Sequence, residues 1–251
     1  MTVQLPPTRP QIQSTADHWA LDFALRARWP DYVRLRDGWE KFEPETLEQV
    51  RARVAPQLKG MIEYSEGLDD FIEAQVRAEA EPMIQRMKAF AEPILSEYVT
   101  SLLLSQALCE AIINDVLAHE LAARARYDVF TLIERATFLE KWMSAPRAWS
   151  DTYRFPKNGA LYETLKFISG ERNAYTHHKV ALIVDGKSLG SRQVKPLSAP
   201  AMLDWIGRFL SLPYDLADLL LRTEQIHAMG YLLRENPIAR SRLHAKDLES
   251  L

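Results

Sequence analysis

The segment Glu171-Arg172-Asn173-Ala174-Tyr175-Thr176-His177-His178-Lys179 gathers a guanidinium, an amide, two imidazoles and an ammonium in one short stretch. An imidazole exchanges protons near neutral pH and a forked guanidinium holds anionic oxygens, so these types together suit proton transfer beside a bound anion. Between Lys166 and Lys195, six basic residues (Lys166, Arg172, Lys179, Lys187, Arg192, Lys195) stand against two acids (Glu171, Asp185), in a chain whose net charge is −3. Positive charge is therefore concentrated here, and any contact with a polyanion must be local. On a helix, Asn173 and His177 lie one turn apart on one face, with Arg172 next to them on the buried edge. His178 points about 100° away from His177. The two imidazoles cannot serve one site on an unbroken helix and make a poor metal pair, so His177 is the favoured one.

Other chemistries find little support. The sequence has no P-loop, dinucleotide glycine pattern or nucleophile elbow. His119-Glu120 begins like a zinc-protease helix, but Ala123 stands where the second ligand belongs, so no metal site and no cofactor are expected. His18, His227 and His244 stand alone, and Cys109 sits between Leu108 and Glu110 as a small buried residue. A single cysteine excludes an intramolecular disulfide and suits a reducing compartment. Met1 to Pro10 carries three prolines and no apolar core, so no signal peptide is expected. The most apolar stretch, Ile94 to Ala118, is interrupted by Glu97, Glu110 and Asp115, which argues against a bilayer. The expectation is a soluble, cytoplasmic protein with no membrane partner.

The elements that must position this segment are helices. With 251 residues the chain can bury a sizeable core, and nine glycines are too few for a turn-rich barrel or sandwich. Helical period predicts a helix from Asp17 to Trp29, stopped at Pro30, a turn at Asp37-Gly38 and a helix from Pro44 to Lys59. A helix from Leu68 to about Phe90 follows, kinked or divided at Pro82. Pro93 opens the longest helix, to about Arg124, with Glu110 and Asn114 on its buried face. Next come a helix from Val129 to Met143, with Thr131 and Glu134 in capping-box spacing beside a competing cap at Asp128, and a stop at Pro146. Asn158 caps a helix from Ala160, in which Leu161, Leu165, Ile168 and Arg172 form one seam. Val180 to Val184, Asp185-Gly186 and Lys187 to Val194 read as a hairpin, and Pro213 separates helices at Ala201–Phe209 and Tyr214–Leu233. The predicted fold is mostly α, an up-and-down helical bundle with one small β-hairpin insertion near 180–194. Residues 1–90 form an N-terminal helical extension, 91–235 the main domain and 236–251 a polar tail.

Arg172-Asn173, three residues, then His177 resembles the Arg-polar-x-x-x-His motif of the HEPN superfamily. The surroundings add to the likeness: Leu139-Glu140-Lys141-Trp142 with Ala145-Pro146-Arg147, Leu161-Tyr162 and Leu165, and Lys179 after the motif. Glu110 and Asn114 are similar to the Glu-and-Asn pair on the helix that opens such domains. The likeness spans roughly Ala91 to Arg234. Tyr175-Thr176 departs from it, being more polar than the usual aliphatic pair, and so does the Val180–Val194 insertion. The resemblance implies a HEPN-like bundle and a metal-independent endoribonuclease. Histidine 177 would act as acid and base, Arg172 would stabilise the phosphorane, and Asn173 would orient the imidazole or the phosphate. Supporting positions are Glu110, Asn114, Tyr175, His178 and Lys179. It further implies RNA as substrate, a homodimer whose two motif helices line one composite cleft with Gly170 permitting a close approach, and an antitoxin or inhibitor protein as a candidate partner in a toxin–antitoxin or phage-defence system.

The same residues also have a structural reading. Arg172 can be a buried cation paired with Glu110, His177 a helix-terminal residue favoured by the dipole, and Asn173 a cap. Glu110 and Asn114 can be a polar network under the motif. Trp142, Trp149, Tyr153 and Phe155 could stack on bases, but core packing suits most of them better. A non-catalytic scaffold that binds RNA or a protein partner, and a helical adaptor recruiting a partner through residues 1–90, are the alternatives to an enzyme.

Overall fold

A single long helix organises the molecule. The computed structural model describes residues 18–42, 46–61, 67–176, 182–184, 187–189 and 197–222. Its helices are α1 (His18–Arg26), α2 (Trp29–Glu40), α3 (Leu47–Met61), α4 (Leu68–Ala123), α5 (Tyr127–Glu134), α6 (Phe138–Ser144), α7 (Ala160–Thr176) and α8 (Ala199–Leu221). A short 3-10 turn, Ala145–Ala148, follows α6. Two short strands, β1 (Leu182–Val184) and β2 (Lys187–Leu189), pair antiparallel with Leu182 opposite Leu189. The residues between them lie outside the described set. The described chain is thus mostly helical.

Two hydrophobic cores share α4. In the smaller, Leu68, Ile72, Val76 and Ala80 recur every four residues along the start of α4 and meet Val50 and Val54 of α3. These two helices make an arm. In the larger core, Tyr98, Leu102, Leu108, Ile113 and Leu117 of α4 pack against Ile206, Phe209, Leu210 and Ala217 of α8 and Leu165 and Ile168 of α7. Leu25 of α1 and Tyr32 of α2 join this larger core, so residues 18–40 pack with the main bundle and α3 does not. Residue 90 falls inside α4.

Buried polar links fix the first two helices to the bundle. The fully buried Asp22 accepts a hydrogen bond from the Tyr214 hydroxyl at 2.7 Å and pairs with Arg26. Glu97 of α4 accepts from Ser101 at 2.9 Å and from Arg28 at 3.3 Å. Tyr32 is pressed onto α8 at Gly207, where an added Cβ would stand 2.7 Å from the phenol oxygen. A larger residue there would oblige the phenol end of Tyr32 to shift.

Proline placement corrects the predicted boundaries. Helix α1 ends at Arg26 and α2 starts at Trp29, so Pro30 sits in a first turn, where its missing N–H costs nothing. Gly38 lies inside α2 rather than in a turn, close to the Phe90 ring. The helices predicted on either side of Pro93 are one helix, which passes through Pro82 and Pro93 without a break. Each interior proline frees one carbonyl four residues earlier, at Ala78 and Ala89, and both residues are exposed to water. The pair predicted around Pro213 is also one helix, α8. There the freed carbonyl belongs to buried Phe209, and the Ser105 hydroxyl of α4 donates to it at 2.7 Å. Residues 223–251, including the predicted stretch to Leu233 and the tail, lie outside the described set.

The predicted helix from Val129 to Met143 is two helices, and its capping box lies elsewhere. Thr137 accepts from the Glu140 amide at 3.3 Å, while the Glu140 carboxylate accepts from the Thr137 amide at 2.9 Å. This reciprocal pair opens α6. Thr131 instead donates back to the Tyr127 carbonyl within α5.

Candidate functional site

The inward face of α7 is set by Leu165 and Ile168, both fully buried, and Arg172 continues that seam half-buried near the helix end. Asn173 is exposed beside it and accepts a long hydrogen bond, 3.4 Å, from the Arg172 guanidinium. These two predicted catalytic residues are consecutive in sequence and share the C-terminal end of α7. The third, His177, lies outside the described residues, as do His178 and Lys179.

A carboxylate that sequence spacing did not single out is anchored here. Glu171 accepts a hydrogen bond from the Tyr98 hydroxyl of α4 at 3.2 Å. Tyr98 is fully buried, and burial, reinforced by the Glu171 charge, pushes its phenol well above the ordinary tyrosine range. It stays a neutral donor. Tyr175 meets the Tyr98 ring edge-on at 6.2 Å and is partly exposed, and its phenol is also raised, by burial first and Glu171 second. Residues 98 and 171 are far apart in sequence, and no local pattern connects them.

Behind this end of α7 runs an aromatic row. Tyr98 contacts Phe209 at 5.4 Å, Phe209 stacks on Phe167 at 6.2 Å, and Phe167 stacks on Trp205 at 3.7 Å with planes 5° apart. The Arg208 guanidinium carbon stands 4.8 Å from the Trp205 ring centre and forms the outer end of the row.

The supporting pair on α4 is not drawn to Arg172 among the described residues. Asn114 accepts a hydrogen bond at 2.9 Å from the Lys141 ammonium of α6, and Lys141 is buried. Glu110 is half-buried one turn earlier. The neighbouring motif residues have structural roles: Glu140 closes the capping box, and Trp142 is fully buried with its backbone carbonyl accepting from the Tyr153 hydroxyl at 2.5 Å. Tyr153 and Phe155 are core residues too, in line with the packing reading, while Trp149 is half-buried.

Cys109 is fully buried, and burial raises its thiol well above the usual range, which suits packing and not nucleophilic attack. Among the described residues, no three His, Cys, Asp or Glu side chains gather where one metal ion could bind. By length and composition α4 could span a membrane, but most of its apolar stretch is buried under other helices. No protein-family model, curated protein or solved structure matches this chain.

Proposed function

We propose that the chain is a HEPN-like endoribonuclease that cleaves RNA without a metal, acting in the cytoplasm as a homodimer within a toxin–antitoxin or phage-defence system. The observation that supports it is the pairing of Arg172 with Asn173 at the accessible end of α7, at the spacing from His177 that the Arg-polar-x-x-x-His motif requires.

In this reading the RNA 2′-oxygen attacks the adjacent phosphorus as His177 removes its proton. The P–O bond to the 5′-oxygen breaks, and that oxygen leaves with a proton returned by an imidazole. Arg172 holds the charge that grows on the phosphoryl oxygens, and Asn173 orients the imidazole or the phosphate. The products are a 2′,3′-cyclic phosphate and a 5′-hydroxyl. DNA, with no 2′-hydroxyl, is spared. Tyr98 of α4 donates to the Glu171 carboxylate, so the negative charge next to Arg172 has a hydrogen-bond donor of its own.

The test is cleavage of a labelled RNA by the purified protein. Arg172→Ala and His177→Ala are each expected to abolish cleavage with the circular dichroism spectrum and dimer unchanged, and EDTA to leave the wild-type rate as it was. Full activity in either variant overturns the reading. One observation favours the second reading, a scaffold that binds RNA or a protein partner without cutting: Asn114, Glu140, Lys141 and Trp142 all have structural partners or core positions. RNA retained but never cut by the wild type would select it.

A further inference from the structure

Between α2 and α4 runs an open groove of about 380 Å³, whose described lining comes from those two helices. A volume of this size is within the range of small-ligand sites. The helices are antiparallel here, since Arg28 reaches Glu97 and Gly38 faces the Phe90 ring. Leu35 and Gly38 form one wall and Phe90 the other, while Ala89 and Pro93 make an exposed rim where water still reaches the carbonyl that Pro93 frees. Phe90 is itself held, stacked on Phe42 at 4.5 Å.

Gly38 keeps the groove open. A Cβ there would stand 3.6 Å from the Phe90 ring, an ordinary contact, so packing does not demand glycine. Glycine weakens a helix interior, and what it leaves at this position is room over an apolar floor.

Both ends of the groove are positive. Arg86 is exposed and has no hydrogen bond or ion pair among the described residues. Arg34 bonds Asp31 at 2.8 Å, but Asp31 also pairs with Arg28 at 3.2 Å, so one carboxylate serves two guanidinium groups and Arg34 keeps donors to spare. Among the described residues no acid lines the groove. The antiparallel pairing sets Arg34 opposite Pro93, about 10 Å along the axis from Arg86.

We propose that this groove binds a small, extended molecule with an apolar body and a carboxylate at each end, a long-chain dicarboxylate in its simplest form. The body lies over Gly38 between Leu35 and Phe90, against the aliphatic stems of the two arginines. Each carboxylate takes one guanidinium, whose planar fork matches its two oxygens. A single positive charge at each end balances a carboxylate and would only half neutralise a phosphate dianion. The groove shares no residue with the ribonuclease reading and does not depend on it.

Isothermal titration calorimetry of the full chain with decanedioate, decanoate and decane-1,10-diol tests the site. Decanedioate is expected to bind about tenfold or more tightly than decanoate, and the diol not to bind, because one charge-assisted contact is lost at each step. Arg34→Glu and Arg86→Glu should each weaken decanedioate binding about tenfold or more, and Gly38→Leu should do the same by filling the floor, all with the circular dichroism spectrum unchanged. Arg77→Gln, at an exposed position of α4 in the arm, should leave the affinity as it was. Failure of decanedioate to bind, equal affinity for decanoate, or wild-type affinity in any of the three groove variants overturns the proposal. So does binding, in place of the diacid, of a synthetic acidic helix with glutamates about seven residues apart, the same axial span, which would make the occupant a protein partner.

Discussion

The Ser105 hydroxyl of α4 donates to the Phe209 carbonyl of α8 at 2.7 Å, at the turn where Pro213 has no N–H to offer. One side chain thus completes the backbone bonding of a neighbouring helix and lets α8 run on through its proline. Ser105→Ala should leave a buried carbonyl without a donor and cost about 1–3 kcal/mol. Pro213→Ala restores the internal donor, so Ser105→Ala should cost less in that background, with a coupling of about 1 kcal/mol. Urea unfolding of the four proteins measures it, and simple additivity would refute the relationship.

Glu97 gives a pH signature. Its carboxyl is raised above the ordinary glutamate value, by burial first, with Ser101 and Arg28 opposing the rise. The fold therefore binds this proton more tightly than the unfolded chain does. The stability that protonation supplies is fully present below the unfolded pKa and is lost as pH rises through the folded one. Glu97→Gln removes this dependence. The melting temperature of Glu97→Gln minus that of the wild type should be highest at neutral pH and fall on acidification toward the ordinary glutamate value. A pH-independent difference contradicts the assignment.

Gly170 sits in the interior of α7 with open space around it. Gly170→Ala should raise stability by about 0.5–1 kcal/mol by removing backbone freedom from the unfolded chain. Thermal melts at several protein concentrations check it. A lower melting temperature for the variant would show that the added methyl group meets a contact at this face, against the open space around Gly170.

The arm should open on its own. Ile72 is buried in the small core, which shares no buried residue with the large one. Ile72→Ala should destabilise the arm by about 2–5 kcal/mol. Hydrogen exchange should then quicken in α3 while the amides of α8 keep their protection. Equal loss of protection in both would mean that the two cores unfold as one.

Helical period made most of the helices legible, because apolar residues at steps of three and four have few other solutions in a chain with so little glycine. Proline was the poorer guide. Pro82, Pro93 and Pro213 all predict breaks, yet water can serve the freed carbonyls of Ala78 and Ala89, and Ser105 serves that of Phe209. Such rescue comes from outside the local segment. The capping box was ambiguous for a related reason: Thr131/Glu134 and Thr137/Glu140 both have the spacing, and only the break before Phe138 decides between them. At the site, Arg172 and Asn173 were legible from spacing. The anchoring of Glu171 by Tyr98 was not, nor was the aromatic row joining Trp205 to Tyr98, since those contacts link helices distant in sequence.

The continuity of α4 also sets an angular phase between arm and bundle. With no loop between Ala80 of the small core and Ile94 of the large one, each residue inserted there would advance the arm by about 1.5 Å and turn it by about 100°. A single insertion would thus swing α3 to another side of the bundle. Eighteen residues, five full turns, would restore its bearing about 27 Å farther out.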